Sequence, residues 1–412
     1  HGAIWFQGAD SITVRNCSFT QFAWAGFCVN RSSHIDVHDC RFLNACQLKD
    51  GVIGGQITAK WINNSTIHHN TIIRTKGRAR GYKGLDAGHD NVTIHHNYIA
   101  GHYFSIESPH DHERNFEICY NELEGCISIP KFEGGLQVLP DTVDFAVRIH
   151  HNILHDSYGI EGPRNHLYID SNYVFITKTG GRFYTQHQAS VCRGPVWIRG
   201  NVIVNIDRGF VWAHNAGKAR DFHIYNNTVY CADAEDRTGP ILGVPDSAEN
   251  WMFHNNIVIA PPERPRVLYN DVQKGERVVT ATHNVFVNVS NVPEGNWSDV
   301  DAGLTLSGDK PYPWYAPASE TSFVVDRGVD IGLAWLGAAP DIGAYEYESA
   351  AVGPSDPARR NLALTIMPPG NVAVYSLQGR LLSVGDTPGE IAAGLYGRFG
   401  GESGTILRLA PR

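Results

Sequence analysis

Three carboxylates are placed where they could do chemistry. Asp86, Glu107 and Glu161 occur in "GLDAGHDN", "SIESPHDHERN" and "GIEGPRNH", each directly after an apolar residue. Three residues beyond each comes a base: His89, His110 and Arg164. Like charges gathered on one wall repel, and the repulsion raises one carboxyl pKa, as a general acid requires. Carboxyl groups about 5–5.5 Å apart suit a nucleophile with an acid/base partner, whereas about 6.5–9.5 Å leaves room for an attacking water.

Such a wall needs a scaffold that repeats, and the chain has one. The segments VRNCSF, VHDCRF, IHHNTI, IHHNYI, ICYNEL, IHHNIL, IDSNYV, IRGNVI, IYNNTV, FHNNIV and ATHNVF share an apolar-x-x-Asn-x-apolar pattern. Its fourth position falls at Cys17, Cys40, Asn70, Asn97, Asn121, Asn152, Asn172, Asn201, Asn227, Asn256 and Asn284, with steps of 20 to 31 residues. Variable steps with a constant core pattern predict a solenoid of short parallel strands, one coil per repeat, whose loops change length. Asn amides in an inward turn can stack and hydrogen-bond along the ladder. Cys17 and Cys40 take two rungs of that column, either as a disulfide or as small hydrophobic fillers. Parallel crossovers are right-handed almost without exception, which predicts a right-handed coil.

The bulk composition agrees. The chain has 412 residues, 42% hydrophobic and 18% charged, with 42 Gly against 2 Met, a balance that favours turns and strands over helices. A net charge of −8 excludes nucleic-acid binding through a global basic surface. No apolar run is long enough to cross a bilayer. The 8 Cys form no CxxC pair, so neither a zinc ribbon nor a thioredoxin-type site is expected. The chain opens at "HGAIWFQGAD", inside a repeat, and is expected to have been trimmed at that end.

On these repeats, residues 1–347 resemble the right-handed parallel β-helix superfamily of secreted carbohydrate-active enzymes. The ending "ETSFVVDRGVDIG…APDIGAYEY" resembles the closing segment of such proteins. The fold class expected is all-β: a single-stranded parallel β-helix, a linker at 348–360 rich in small residues and proline, and a small sandwich-like β domain at 361–412. That last region, with "VYSLQGR" and "GLY" strands, resembles the C-terminal sorting domain of the Bacteroidetes-type secretion route. The resemblance implies a secreted or cell-surface protein acting on a polysaccharide. Fold alone does not choose the chemistry.

Aligning the coils on the Asn column puts Asp86, Glu107, Pro130, Glu161, Thr185 and Ala213 at one outward position. Neighbouring coils are about 4.8 Å apart, so Asp86 and Glu107 lie about one rung apart and Glu107 and Glu161 about two. The leading expectation is hydrolysis, with Glu107 as general acid and Asp86 or Glu161 as nucleophile or base. His110, Lys131 and Arg164 would orient substrate and tune those groups. The alternative implied by the resemblance is β-elimination on a uronic-acid glycan, with Lys131 or His110 as base and Arg164 on the carboxylate. A third reading is a glycan-binding or adhesin solenoid without catalysis.

Substrate contacts are further expected from His89, Lys60, His187, Tyr184 and Trp212, the last two as outward stacking platforms. The cation-rich "RTKGRARGYKG" is read as either a clamp for an acidic glycan or a solvated loop. No cofactor is demanded by these residues. Ca²⁺ or another divalent cation is the candidate, with Asp86, Glu107 and Asp111 as its oxygen ligands and His89 and His110 as nitrogen donors beside them. The repeated "IHHN" recurs with the rung period, so wall packing explains it without a metal.

Overall fold

The computed structural model describes residues 3–22, 25–45, 55–75, 82–108, 113–129, 145–155, 157, 159–162, 166–176, 181–185, 191–192, 195–206, 208–213, 218–231, 239–305, 315–347, 372–375 and 381–385. By internal contacts the chain divides into two units, His1–Thr305 with Tyr315–Ser349, and Leu306–Trp314 with Ala350–Arg412.

The first unit is a parallel β-solenoid. Each coil has three legs, shown by Lys83–Gly88, Asp90–His95 and Tyr98–Ala100, after which Phe104–Glu107 starts the next coil. First and second legs belong to one 21-stranded sheet, and third legs form a 12-stranded sheet running from Ser18–Thr20 to Trp297–Ser298. Every solenoid pairing in these two sheets is parallel, for example Ile94 with both Ile67 and Ile118.

Side chains alternate along each strand, so one face of every leg turns inward. The inward columns are stacks of branched aliphatics. One runs through Ile67, Ile94, Ile118, Ile149, Ile169 and Ile198, and another through Ile72, Ile99, Leu123, Leu154 and Val174. All of these are fully buried. β-Branched residues suit such a column because their stiff χ1 packs well against identical neighbours on a pleated surface.

The turn from second to third leg is the same in every coil. The residue before each ladder position has a left-handed φ near 50°: Asp39 52°, His69 53°, His96 53°, Tyr120 55°, His151 54° and Asn226 49°. Asn, Asp and His tolerate that conformation better than most residues, which accounts for much of the second His of "IHHN". The next residue is the ladder Asn. Asn152 Oδ1 accepts from the Asn121 backbone N–H at 3.0 Å and from Asn121 Nδ2 at 3.0 Å. Asn152 Nδ2 in turn donates to Ile118 O at 2.8 Å, His150 O at 3.0 Å and Asn172 Oδ1 at 3.0 Å. The pattern continues to Asn296, a rung beyond the sequence motif. At the other end Cys40 N–H donates to Asn70 Oδ1, and Cys17 N–H points at Cys40 Sγ, 3.4 Å away. Both thiols are free, so the two Cys fill the column without a disulfide.

The closing segment folds back along the outside of the third legs. Val324 and Ile342 pack on Ile257 and Val285, side chains that would otherwise face solvent. Asn255 clasps it twice, donating to Val329 O at 2.8 Å and accepting from Val329 N–H at 2.9 Å. In the second unit, Val372–Tyr375 and Leu381–Gly385 pair antiparallel, within "VAVYSLQGRLLSV". The "GLY" segment expected as a strand lies outside the described residues. Among the described residues no helix is long and apolar enough to cross a membrane.

Two predictions follow from the corner. Asn152→Ala strands the buried Asn121 backbone N–H, at about 1–3 kcal/mol, and removes one hydrogen bond each from Asn121 Nδ2, the Ile118 carbonyl and Asn172 Oδ1. Denaturant titration should show a loss of about 3 kcal/mol or more, and a smaller loss for Asn296→Ala at the half-exposed ladder end. His151 is the second case: burial first, then the neighbouring His150, push its pKa down to about 4. Its folded form therefore binds protons less readily than its unfolded form. The associated stability is present above the ordinary pKa near 6.5 and is lost as pH falls towards about 4. The melting temperature should fall across that window, and His151→Asn should flatten the fall.

Candidate active site

Strand register assembles the outward column on the first leg. Cys28 pairs with Thr58, Thr58 with Asp86, Asp86 with Glu107, and Glu107 with Ser128. Ser128 pairs with Glu161, Glu161 with Thr185, Thr185 with Trp212. The three carboxylates thus share one column, in the expected rungs. Two other members of the column differ from expectation. Ser128, not Pro130, separates Glu107 from Glu161, because Ile127 and not Ile129 is the residue in register with Ile106 and Ile160. Trp212 takes the place expected of Ala213, which is fully buried.

The carboxylates live in different surroundings. Asp86 is 0% exposed, so the nucleophile or base role expected of it is not open to it without rearrangement. Neither of its oxygens meets a donor in good hydrogen-bond geometry among the described residues. Its charge is instead offset by two ammonium groups, Lys60 Nζ at 3.2 Å and Lys83 Nζ at 3.5 Å from Oδ2. Lys83 is itself 6% exposed and reaches across to Glu107 Oε2 at 2.5 Å. Two carboxylates and two ammonium groups therefore form one compact cluster, which keeps a buried charge tolerable.

Glu107 is the member that meets solvent, with its side chain 22% exposed. Burial raises its pKa above the ordinary carboxylate value, and the charge of Asp86 adds to that. Lys83 and Lys60 act in the opposite direction. A carboxyl that keeps its proton beyond the usual range and still reaches the surface is suited to donating that proton. Glu161, two rungs on, is half-buried.

Backbone details build this arrangement. Inward–outward alternation breaks at Gly84, where an added Cβ would lie 2.4 Å from Ile99 Cγ2 and 2.7 Å from Ser105 O. That break lets Lys83 reach Asp86 from the same strand. The pairing of Phe104–Glu107 with Cys126–Ser128 also shifts between Phe104 and Ile106.

Other expected residues are placed elsewhere. His89 hydrogen-bonds Asn63 Oδ1 at 2.7 Å, on the coil below. Tyr184 is not a stacking platform: it points inward with 0% exposure and donates from its hydroxyl to Gly162 O at 2.5 Å. Trp212 does face outward, but Arg182 lies over its ring at 4.3 Å and Gly243 packs against it so closely that an added Cβ would sit 2.5 Å from the indole. In "RTKGRARGYKG" the two described cations are turned to the protein itself, Arg74 over the Tyr82 ring at 3.5 Å and Lys83 in the cluster. Lys60 and Lys83 also supply the positive charge that a divalent ion on Asp86 and Glu107 would have to displace. Lys131, His110, Arg164, His187 and Asp111 lie outside the described residues.

No protein-family model matches the chain, and no curated protein matches it.

The cluster makes a stability prediction. Asp86→Asn removes the Lys60 ion pair and leaves Lys83 with Glu107, and loss of one partner from a buried charge group costs about 3–5 kcal/mol. Chemical denaturation should show that loss, and Lys83→Met should show a comparable one.

Proposed function

We propose that the protein is an extracellular carbohydrate-active enzyme that hydrolyses glycosidic bonds in a polysaccharide. One observation carries the reading. Glu107, a surface-reaching carboxyl held above its ordinary pKa, shares an outward column with Glu161, and only Ser128 stands between them. Two rungs of about 4.8 Å separate their backbones by about 9.6 Å, so carboxyls leaning towards each other fall in the range that admits a water.

In this reading Glu107 gives its proton to the glycosidic oxygen as the bond breaks. Glu161 removes a proton from the water that attacks the opposite face of the sugar, and the anomeric configuration inverts. The Lys83 ammonium beside Glu107 stabilises the carboxylate that proton donation leaves behind. Asp86 acts indirectly by holding Lys83 and Lys60 in place. The polysaccharide lies across the first-leg wall. The extracellular address is supported by the resemblance of residues 361–412 to a secretion sorting domain.

The test is incubation with neutral and uronate polysaccharides, following reducing ends together with the ultraviolet absorbance of unsaturated uronates. New reducing ends without absorbance, and an inverted product by proton NMR, are expected. Glu107→Gln and Glu161→Gln should each lower turnover by about 10²–10⁴-fold, Glu161→Gln with a melting temperature close to the parent and Glu107→Gln with a lowered one, since it takes a partner from Lys83. Turnover should also fall as pH rises through the Glu107 pKa, above 4.5, since the acid must be protonated. Unchanged turnover in Glu107→Gln would sink the assignment. Both signals rising together would mean β-elimination, and polysaccharide retention without cleavage would mean a binding protein.

A further inference from the structure

The corner between second and third legs carries a patch of imidazoles away from the first-leg column. On three successive coils the two residues before the ladder position are His38 and Asp39, His68 and His69, and His95 and His96. The rings of His38, His68 and His95 stack at 4.9 Å, and those of His69 and His96 stack at 4.9 Å. Within each double-His pair the Nδ1 atoms face each other, 2.8 Å apart in both His68–His69 and His95–His96.

Protons on these nitrogens can be assigned from their partners. His68 Nε2 lies 3.1 Å from Asp36 Oδ1. A carboxylate only accepts, so His68 carries its proton on Nε2 and presents a lone pair at Nδ1. His69, opposite, supplies the bridging proton. One nitrogen from each of His68, His69 and His95 lies within 4.8 Å of the others.

We propose that His68, His69 and His95 bind a first-row divalent metal ion of the imidazole-preferring type, Cu²⁺ most tightly, with Ni²⁺ and Zn²⁺ as weaker occupants. The ion takes the place of the proton between the two Nδ1 atoms. His69, an exposed residue, moves that proton to its own Nε2, so the ring stays neutral as it changes tautomer. Donor atoms on bonds of about 2.0 Å at a right angle sit about 2.8 Å apart, which is the separation already present between His68 and His69. Donors opposite each other on such bonds sit about 4 Å apart, which the trio, within 4.8 Å throughout, reaches with at most a small rotation of the exposed His69 ring. Asp36 behind His68 forms the carboxylate–histidine–metal arrangement that fixes a ligand's tautomer and raises its basicity.

The third double-His pair is the internal comparison. His150 and His151 have the same 2.8 Å Nδ1 contact, and Glu117 stands 2.7 Å from His150 Nε2. The adjacent coils there bring Cys119 and Tyr120 on one side and Asp170 and Ser171 on the other, with no third imidazole. The Cys119 thiol, pushed up to about 12 by burial, is a poor substitute.

The test uses the untagged full chain, stripped with chelator and dialysed. Calorimetric titration with Cu²⁺ should show one equivalent per chain, and electron paramagnetic resonance should show coupling to imidazole nitrogen. Ca²⁺, which prefers oxygen ligands, should give no such stoichiometric heat. His69→Asn, which keeps a residue tolerant of the left-handed φ of 53°, and His95→Gln should each weaken Cu²⁺ binding at least tenfold. His151→Asn should leave it unchanged, and melting of the metal-free variants confirms that each is folded. Absence of stoichiometric Cu²⁺ binding would overturn the proposal. So would parent-like binding by both His69→Asn and His95→Gln, which would place the ion elsewhere.

Discussion

The whole solenoid depends on a two-residue corner, a left-handed residue followed by an Asn whose amide is used on both sides. A tight turn inside a core strands backbone donors and acceptors away from water, and each stranded group is costly. From Asn70 onwards the Asn side chain answers that: at Asn152 its oxygen accepts from the preceding coil, and its amide donates to a carbonyl of that coil, to a carbonyl of its own coil and to the amide oxygen of the next. With the corner fixed, register is fixed too. A slip of one residue would turn the aliphatic columns outwards, so corner and core enforce the same alignment.

That rigidity permits the unusual electrostatics on the first leg. Asp86 is a fully buried carboxylate, tolerable only because Lys60 and Lys83 come from strands whose spacing is set by the ladder. The cluster in turn divides the carboxylates between tasks. Asp86 holds charge in place, while Glu107, raised in pKa and open to solvent, is available for proton transfer. Position on one column therefore does not confer one role; access to water separates them.

Much of this was legible in the residues. The ladder asparagines announced the coils, and counting from them placed Asp86, Glu107 and Glu161 in the rungs they occupy. What the pattern missed were departures from simple alternation. "CISIP" offers two apolar residues that could end the inward face, and only pairing with Ile106 and Ile160 selects Ile127 and exposes Ser128. Tyr184 follows the inward column although it was expected as an outward stacking platform, because Gly162 O provides a buried acceptor for its hydroxyl. Lys83 read as part of a cationic loop, since nothing local reveals that the missing Cβ of Gly84 lets it reach back to Asp86. The paired histidines gave only their period; which nitrogens face each other depends on a φ that sequence does not state.

The closing segment has a consequence for the order of assembly. Ladder contacts join residues only 12 to 31 positions apart in the chain, so each coil can form on the one before it, like steps added to a spiral stair. The strap instead joins Asn255 to Val329, 74 residues away, Asn226 to Asp341 at 115, and Thr228 to Ala344 at 116. It must therefore arrive after the coils it covers. Until it does, Ile257 and Val285 stand bare on the flank, which makes the last steps of folding those in which the chain is most exposed to a sticky neighbour.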